Sequence, residues 1–502
     1  MYVELQCKTH FSFLRGASDG AEYIQKAAEL GLAAIAITDM NGVYALPRAF
    51  EAVKNYPQVK LICGCILVIR DHAPLTLLAQ DRKAYGLMCR ILTAAHQGKE
   101  KGTGNLSMPE LLLFLEEEAA GGLVGILPFG DSAGPSDFGI LKSAFKNRLF
   151  IALTMYLDGL DDQRKCQAKQ IAEKFDLRVV ATNDVHYHCP TRRKIQDALT
   201  CVREGVTLET AGFKLFANEE RYVKSFVQMR DLFHDMPDAL QATLDIASQC
   251  RFSLAELTYQ YPSEWIPPGY TAQKFLVELV RKGAAERYPE GIPIEVEKQI
   301  QYEFKLTEKM GYADYFLTVY DIVHFSRKNN IYCQGRGSAA NSVICYCLGI
   351  TVIDPIKMQL LFERFISEER GEPPDIDVDF EHERREEIIQ YIYRKYGRDR
   401  AAMISAVRTY RRRSAFLEMS KAVGVVVGTI SADVLEAELE KAGADPRKDQ
   451  INALVAELMG VPRHLSIHAC GFTLSAQVLT ETVPIEPARM ASRTICQWDK
   501  HD

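Results

Sequence analysis

The sequence predicts an α/β domain of (β/α)-barrel type followed by an α+β region carrying long helices. Three observations predict this. Six short apolar runs rich in β-branched residues, AAIAITD, VKLICGCILVI, LTLLAQD, GLVGILPFG, LFIALTMYL and LRVVATNDV, alternate with amphipathic segments up to about residue 250. A break follows near residues 256 to 271, where Pro262, Pro267, Pro268 and Gly269 interrupt the rhythm. Long helical patterns then begin, from Ala272 to Arg287 and from Pro293 to Met310.

In the first region, the helical pieces Ala21 to Leu30 and Arg164 to Phe175 lie between apolar runs, which favours a parallel sheet or barrel with helices outside. Asp39 and Asp184 fall where runs end, the place at which α/β proteins gather functional groups. In the second region a short strand, Asn330 to Cys333, is expected to run into Gly335, Arg336, Gly337 and Ser338 and then an apolar helix that Ser338 would cap. Further on, residues 414 to 460 read as helices, with EAELEKAG and INALVAELMG showing helical spacing and glycine stops.

The chain has 502 residues, more than one core supports, with 47% hydrophobic and 25% charged residues, which excludes long disorder. A formal charge of −6 gives no general attraction for polyanions, so a nucleic-acid surface must be local. One basic run exists: Arg394, Lys395, Arg398, Arg400, Arg408, Arg411, Arg412 and Arg413 against the single acid Asp399. A solvated helix face is the competing explanation. Thirteen scattered cysteines without a C-x-x-C pair read as reduced, buried thiols in a cytoplasmic protein. No export signal and no membrane span is expected.

Two motifs carry chemistry. In PPDIDVDF, Asp375, Asp377 and Asp379 alternate with Ile376, Val378 and Phe380, which is a strand with one acidic face. Asp is a poor strand former and like charges at this spacing repel, so divalent cations are the expected partners. Two magnesium ions about 3.5 to 4 Å apart suit such carboxylates. An acidic edge strand that deters aggregation is the alternative. The second motif is YCQGRGSAANSVICYCLGI, in which glycines, Arg336 and a helix start would receive phosphate oxygens, although such turns are often only turns. Arg364, in LLFERFISEER between the two motifs, is a further candidate phosphate contact.

GRGSAANS, DPIKMQLLFERF and PPDIDVDF, in this order, resemble the palm of bacterial DNA polymerase III alpha subunits, the C-family (DnaE-type) polymerases. YVELQCKTHFSFLRGAS, AIAITD and ATNDVHYHCP resemble the polymerase-and-histidinol-phosphatase (PHP) domain that precedes that palm. FSFLRGAS, GVPRHLSIHACGF and TICQWDK are most similar to the error-prone ImuC subgroup. The resemblance implies a PHP-type barrel over residues 1–265, the first part of a polymerase beta-like nucleotidyltransferase palm over 266–407, a helical thumb over 408–462 and a palm return over 463–502.

It further implies DNA-directed DNA synthesis on a primed template from deoxynucleoside triphosphates, error-prone and in damage repair. Asp375 and Asp377 would be catalytic magnesium ligands, with Asp379 supporting them. Gly335, Arg336, Gly337, Ser338, Arg364 and Arg413 would bind nucleotide, and Arg408, Arg411 and Arg412 would contact DNA. His468 has no assigned role, and a glycine-rich turn is expected after it, with Cys470 where relatives usually carry Gly.

A third carboxylate is implied beyond TICQWDK, but the chain stops at Asp502, so it is expected to be an incomplete fragment with little polymerase activity alone. Sliding-clamp and mutagenesis-cassette partners are implied through the missing C-terminal part. In the PHP region Gln6 and Lys8 replace His-x-His, Met40 replaces a His and Ile66 a Glu, while Asp39, Asp184 and His186 remain. That depletion implies a degenerate site without metal. The other readings are a metal-dependent phosphoesterase or exonuclease acting through the PHP domain, and a non-catalytic scaffold for repair proteins.

Overall fold

In the computed structural model, which describes residues 1–128, 135–258, 260–262, 266–366, 376–425, 446–490 and 492–502, all six apolar runs of the N-terminal region are strands of one sheet. They are β1 (Ala34–Met40), β2 (Lys60–Leu67), β3 (Leu75–Ala79), β4 (Leu123–Pro128), β5 (Leu149–Leu153) and β6 (Arg178–Ala181), hydrogen-bonded in sequence order. These strands are buried almost throughout, which is why they read as apolar runs and not as alternations.

The N-terminal segment closes the ring. Glu4 bridges Ile35 beside β1, and Cys7 bridges Val185 just past β6; Val185 N–H donates to Gln6 O at 2.8 Å and Lys8 N–H to Val185 O at 2.9 Å. The barrel is not all parallel, as the sequence favoured: β3 runs antiparallel to both β2 and β4. Only residues 68–74 join β2 to β3, too few for the dozen-residue crossover that a parallel pair requires. Helices Gly20–Glu29 and Asp161–Phe175 occupy the predicted places, the first started by an Asp19/Glu22 capping box.

The chain divides into two compact units, Met1–Thr258 with Ala402–Phe472 and Thr480–Asp502, and Tyr259–Ala401 with Thr473–Leu479. In the first, β9 (Ala401–Thr409), β10 (Pro462–Leu474), β11 (Ile485–Pro487) and β12 (Thr494–Asp499) form a sheet in the order β10-β9-β12-β11. The residues after His468 therefore continue β10 and do not make the expected glycine-rich turn. Gly471 N–H donates to His468 Nδ1 at 2.8 Å, which gives that histidine a structural bond. Helices Arg412–Val423 and Pro446–Leu458 share one core with Arg193–Glu204 through Phe416, Met419, Leu458 and Leu199. EAELEKAG lies outside the described residues. Trp498 Nε1 donates to Val43 O at 3.1 Å, tying β12 to the barrel.

In the second unit, helices Ala272–Arg287, Ile294–Met310 and Ala313–Lys328 surround the short helix Val343–Cys347, packing Leu276, Val280, Ile300, Phe304 and Phe316 against Val343 and Ile344. Gly283 makes this approach possible, since a β-carbon there would lie 1.9 Å from the Cys347 carbonyl oxygen. Gly283→Ala is therefore expected to destabilise the protein by about 1–3 kcal/mol despite the better helix propensity of alanine. Chemical denaturation of the variant reads this directly, and an unchanged or raised midpoint would contradict the tight packing.

Candidate functional site: an acidic strand beside a glycine turn

Two strands of the second unit, β7 (Cys333–Arg336) and β8 (Asp377–Phe380), pair antiparallel with Arg336 opposite Asp377 and Gln334 opposite Asp379. Alternation places Asp377 and Asp379 on the exposed side, while Ile376 and Val378 pack against the helical core. Tyr315 fixes the strand's entry by accepting the Ile376 N–H at 3.0 Å. Asp375, the first acid of the motif, lies outside the described residues.

β7 is displaced from the predicted Asn330–Cys333 strand and contains Gly335 and Arg336. Gly335 is not an open phosphate donor. Its N–H donates to Ile350 O at 2.8 Å, and a β-carbon would lie 2.6 Å from that same oxygen. The exposed turn begins at Gly337, whose φ of 68° is left-handed and whose α-carbon faces Asp377, a β-carbon there lying 3.5 Å from Oδ2. Residues Gly337–Asn341 form a 3-10 turn, and the turn Phe362–Arg364 packs beside it, with Arg364 exposed. Arg336 Nε donates to Asp379 Oδ1 at 3.0 Å, an exposed pair that a ligand can readily exchange.

The predicted helix cap is also corrected. Ser342, not Ser338, caps Val343–Cys347 by accepting the Cys345 N–H. The helix start is moreover closed by Glu303, whose carboxylate accepts Val343 N–H at 2.9 Å, Ile344 N–H at 3.0 Å and the Ser342 hydroxyl at 2.7 Å. The helix dipole is thus satisfied internally by a buried acid. Burial pushes the Glu303 pKa up to about 7 despite those bonds.

Asp377, Asp379, Arg336, Gly337, Ser338 and Arg364 thus share one unit. Arg408, Arg411, Arg412 and Arg413 belong to the other, all four exposed, the last three at the start of helix Arg412–Val423. Cations at a helix N-terminus oppose the dipole, so helix stability does not explain them.

At the barrel, a cavity of about 670 Å³ opens where the strands end, lined by Gln6, Lys8, Met40, Ile66, Asp184 and His186 among others. Asp39 is buried and used structurally, accepting Thr9 N–H at 2.8 Å and the Ser12 hydroxyl at 2.6 Å, while burial raises its pKa to about 6. Asp184 is clasped by the Lys8 ammonium and the Arg221 guanidinium, and these cations outweigh burial and hold its pKa well below the ordinary range. His186 lies 3.7 Å from Asp184, and burial, then Lys8, lowers its pKa to about 4. Among the described residues no group of three His, Cys, Asp or Glu is placed to hold a metal.

Residues 274–502 match the bacterial DNA polymerase III alpha NTPase domain, and residues 4–175 match the PHP domain. The whole chain aligns at 43% identity with error-prone DNA polymerase 1 of Agrobacterium fabrum and with the error-prone DNA polymerases of Methylococcus capsulatus and Caulobacter vibrioides, covering 47%, 49% and 48% of them. Over two successive segments the chain is thus similar to a PHP domain and to a bacterial DNA polymerase III alpha NTPase domain. It spans about half the length of the curated relatives it matches.

Both families use divalent metals. The donor set at β8 suits a hard cation, since two exposed carboxylates on one face are the kind of oxygen donors that hold magnesium. No helix of the described residues is long and apolar enough to cross a membrane. Sequence reasoning missed Glu303 and Arg221. Glu303 had a signal, since it extends the buried stripe of Val296, Ile300, Phe304 and Thr307 along one helix. Arg221, in the irregular segment NEERYVK, had none.

Proposed function

We propose that this chain carries the metal- and nucleotide-binding part of an error-prone DNA-directed DNA polymerase, acting on a primed template in repair of damaged DNA. The observation that carries the reading is the juxtaposition of the exposed acidic face of β8 with the glycine turn after β7. Asp375 and Asp377 would hold the cations, and Asp379 holds the Arg336 side chain. Gly337, Ser338, Arg336 and Arg364 receive the triphosphate, with Gly335 setting the strand spacing. Arg408, Arg411 and Arg412 meet DNA phosphates. Two magnesium ions, when bound, supply activation of the primer 3′-hydroxyl and charge neutralisation at the leaving phosphate. The test is Mn²⁺ binding by electron paramagnetic resonance with and without a deoxynucleoside triphosphate. Asp377→Asn should lose the nucleotide-dependent component, and its retention would overturn the reading.

The PHP barrel is proposed to be metal-free and structural. Lys8 supplies at Asp184 the positive charge that a metal would bring, and an ammonium repels a cation from the same spot. This disfavours a phosphoesterase acting through the barrel. Asp184→Ala strands two largely buried cations and is expected to cost about 2–3 kcal/mol of stability, whereas chelation by EDTA should leave the melting midpoint of the wild type unmoved. Stoichiometric metal that disappears with Asp184→Ala would refute the proposal. Sliding-clamp and mutagenesis-cassette partners and a cytoplasmic setting remain part of the proposed role.

A further inference from the structure

A second cavity, of about 440 Å³, lies wholly within the first unit, walled by the loop after His10–Ser12, the loop around Gly102 and residues of β10 and β11. Its wall carries four cations, Arg15, Lys101, Arg463 and Arg489, and a single carboxylate, Glu486. That carboxylate is buried and engaged, accepting the Tyr44 hydroxyl and, at 3.1 Å, Gln497 Nε2. Arg463 pairs with Glu418 at 3.7 Å and lies over the Tyr410 ring at 5.5 Å.

The cations converge on one region. Burial lowers the His464 pKa, its bond to the Leu465 carbonyl opposes this, and Arg489, Arg463 and Lys101 all push it further down. Burial also lowers the Lys101 pKa, with Arg489 adding to the effect against Glu486. Like charges held around a concavity raise the free energy of the folded chain unless an anion sits among them.

The wall also has an aromatic side. Phe13 meets Tyr44 edge-on at 5.6 Å, and Tyr44 stacks on Phe11. Phe13 and Leu14 are both left-handed, with φ of 38° and 66°, a conformation that costs a bulky residue about 1–3 kcal/mol. Arg203 donates to Leu14 O at 3.2 Å and His186 Nδ1 bonds the Arg15 carbonyl, so the strained turn is held from behind. Its effect is to bring the Phe13 ring and the Arg15 side chain to the cavity.

We propose that this cavity is a second nucleotide site, in which Arg15, Lys101, Arg463 and Arg489 take phosphate oxygens and Phe13 takes the base. The volume suits one nucleotide. Arginine forks match phosphate oxygens, and aromatic faces accept any base. A free nucleoside triphosphate and one nucleotide of a single strand share this chemistry. None of the residues belongs to β7 or β8, the strands that carry the proposed metal-binding face.

The test is fluorescence anisotropy of the 502-residue chain with labelled thymidine triphosphate and, separately, labelled ten-residue oligothymidylate, both in EDTA at low salt. Binding of the free nucleotide alone assigns the site to that source, and binding of the oligomer assigns it to single strands. Lys101→Glu and Arg489→Glu are each expected to weaken binding by about tenfold or more, and Arg489→Lys to retain it. The proposal is overturned if neither ligand binds or if both charge reversals bind like the wild type. Unchanged melting of the variants separates lost binding from lost folding.

Discussion

Glu303→Ala is expected to lower the stability of the second unit by about 3–5 kcal/mol. The carboxylate is fully buried, and its removal takes the acceptor from two helix-start N–H groups and from the Ser342 hydroxyl. Each buried donor left unsatisfied costs about 1–3 kcal/mol, and the cavity adds to that. A thermal midpoint lower by roughly 6–15 °C is the expected readout. The glycine turn Gly337–Asn341 leads directly into this helix start, so nucleotide-dependent binding at β8 should weaken as well.

The same residue gives the stability a pH dependence. Its pKa, about 7 in the folded chain, lies above the ordinary 4.5, so the folded state holds the extra proton between those values. The contribution is therefore full below about pH 4.5 and is lost as the pH rises through 7, an effect of roughly 3 kcal/mol. Glu303→Gln, which cannot ionise, should flatten that part of the stability profile. A wild-type profile that rises over the window would show that the bonds from Val343, Ile344, Ser342 and Gln299 to the carboxylate outweigh its burial.

The fold was legible where burial is uniform along an element. β1, β2 and β5 are buried on both faces, and the helix Ala272–Arg287 has the predicted limits, because a repeating pattern was available to read. The direction of β3 was not legible in its residues, since LTLLA suits either orientation and the seven-residue connection decides it. Register was the other gap. Gln334, Gly335 and Arg336 look like a turn, yet the pairing with β8 and the approach of the Ile350 carbonyl draw them into a strand. At the candidate site the acidic alternation showed itself because it contradicts strand propensity, whereas the closing of the helix start by Glu303 depends on a residue about 40 positions upstream. The Lys8 contact with Asp184 was readable in outline from the substituted ligands. Arg221, the second cation, reaches Asp184 only through the fold.

Asp377→Asn is expected to lower nucleotidyl transfer by about 10³-fold or more in any preparation of this polypeptide that extends a primer. The substitution keeps the shape of the side chain and the cross-strand register with Arg336. It removes one negative charge on an exposed face, where several kcal/mol of cation-dependent charge stabilisation is proposed to act. Asp379→Asn removes the same charge two residues along, but that carboxylate is bonded to Arg336, so its loss should move the rate by only about tenfold and chiefly through nucleotide affinity. The contrast between neighbours is the discriminating measurement. If β8 were only an acidic edge that deters association, both substitutions would leave Mn²⁺ binding and primer extension alike untouched and would instead promote aggregation. Equal, large losses at both positions would show that Asp379 is a cation ligand in its own right and that its bond to Arg336 is broken when nucleotide arrives.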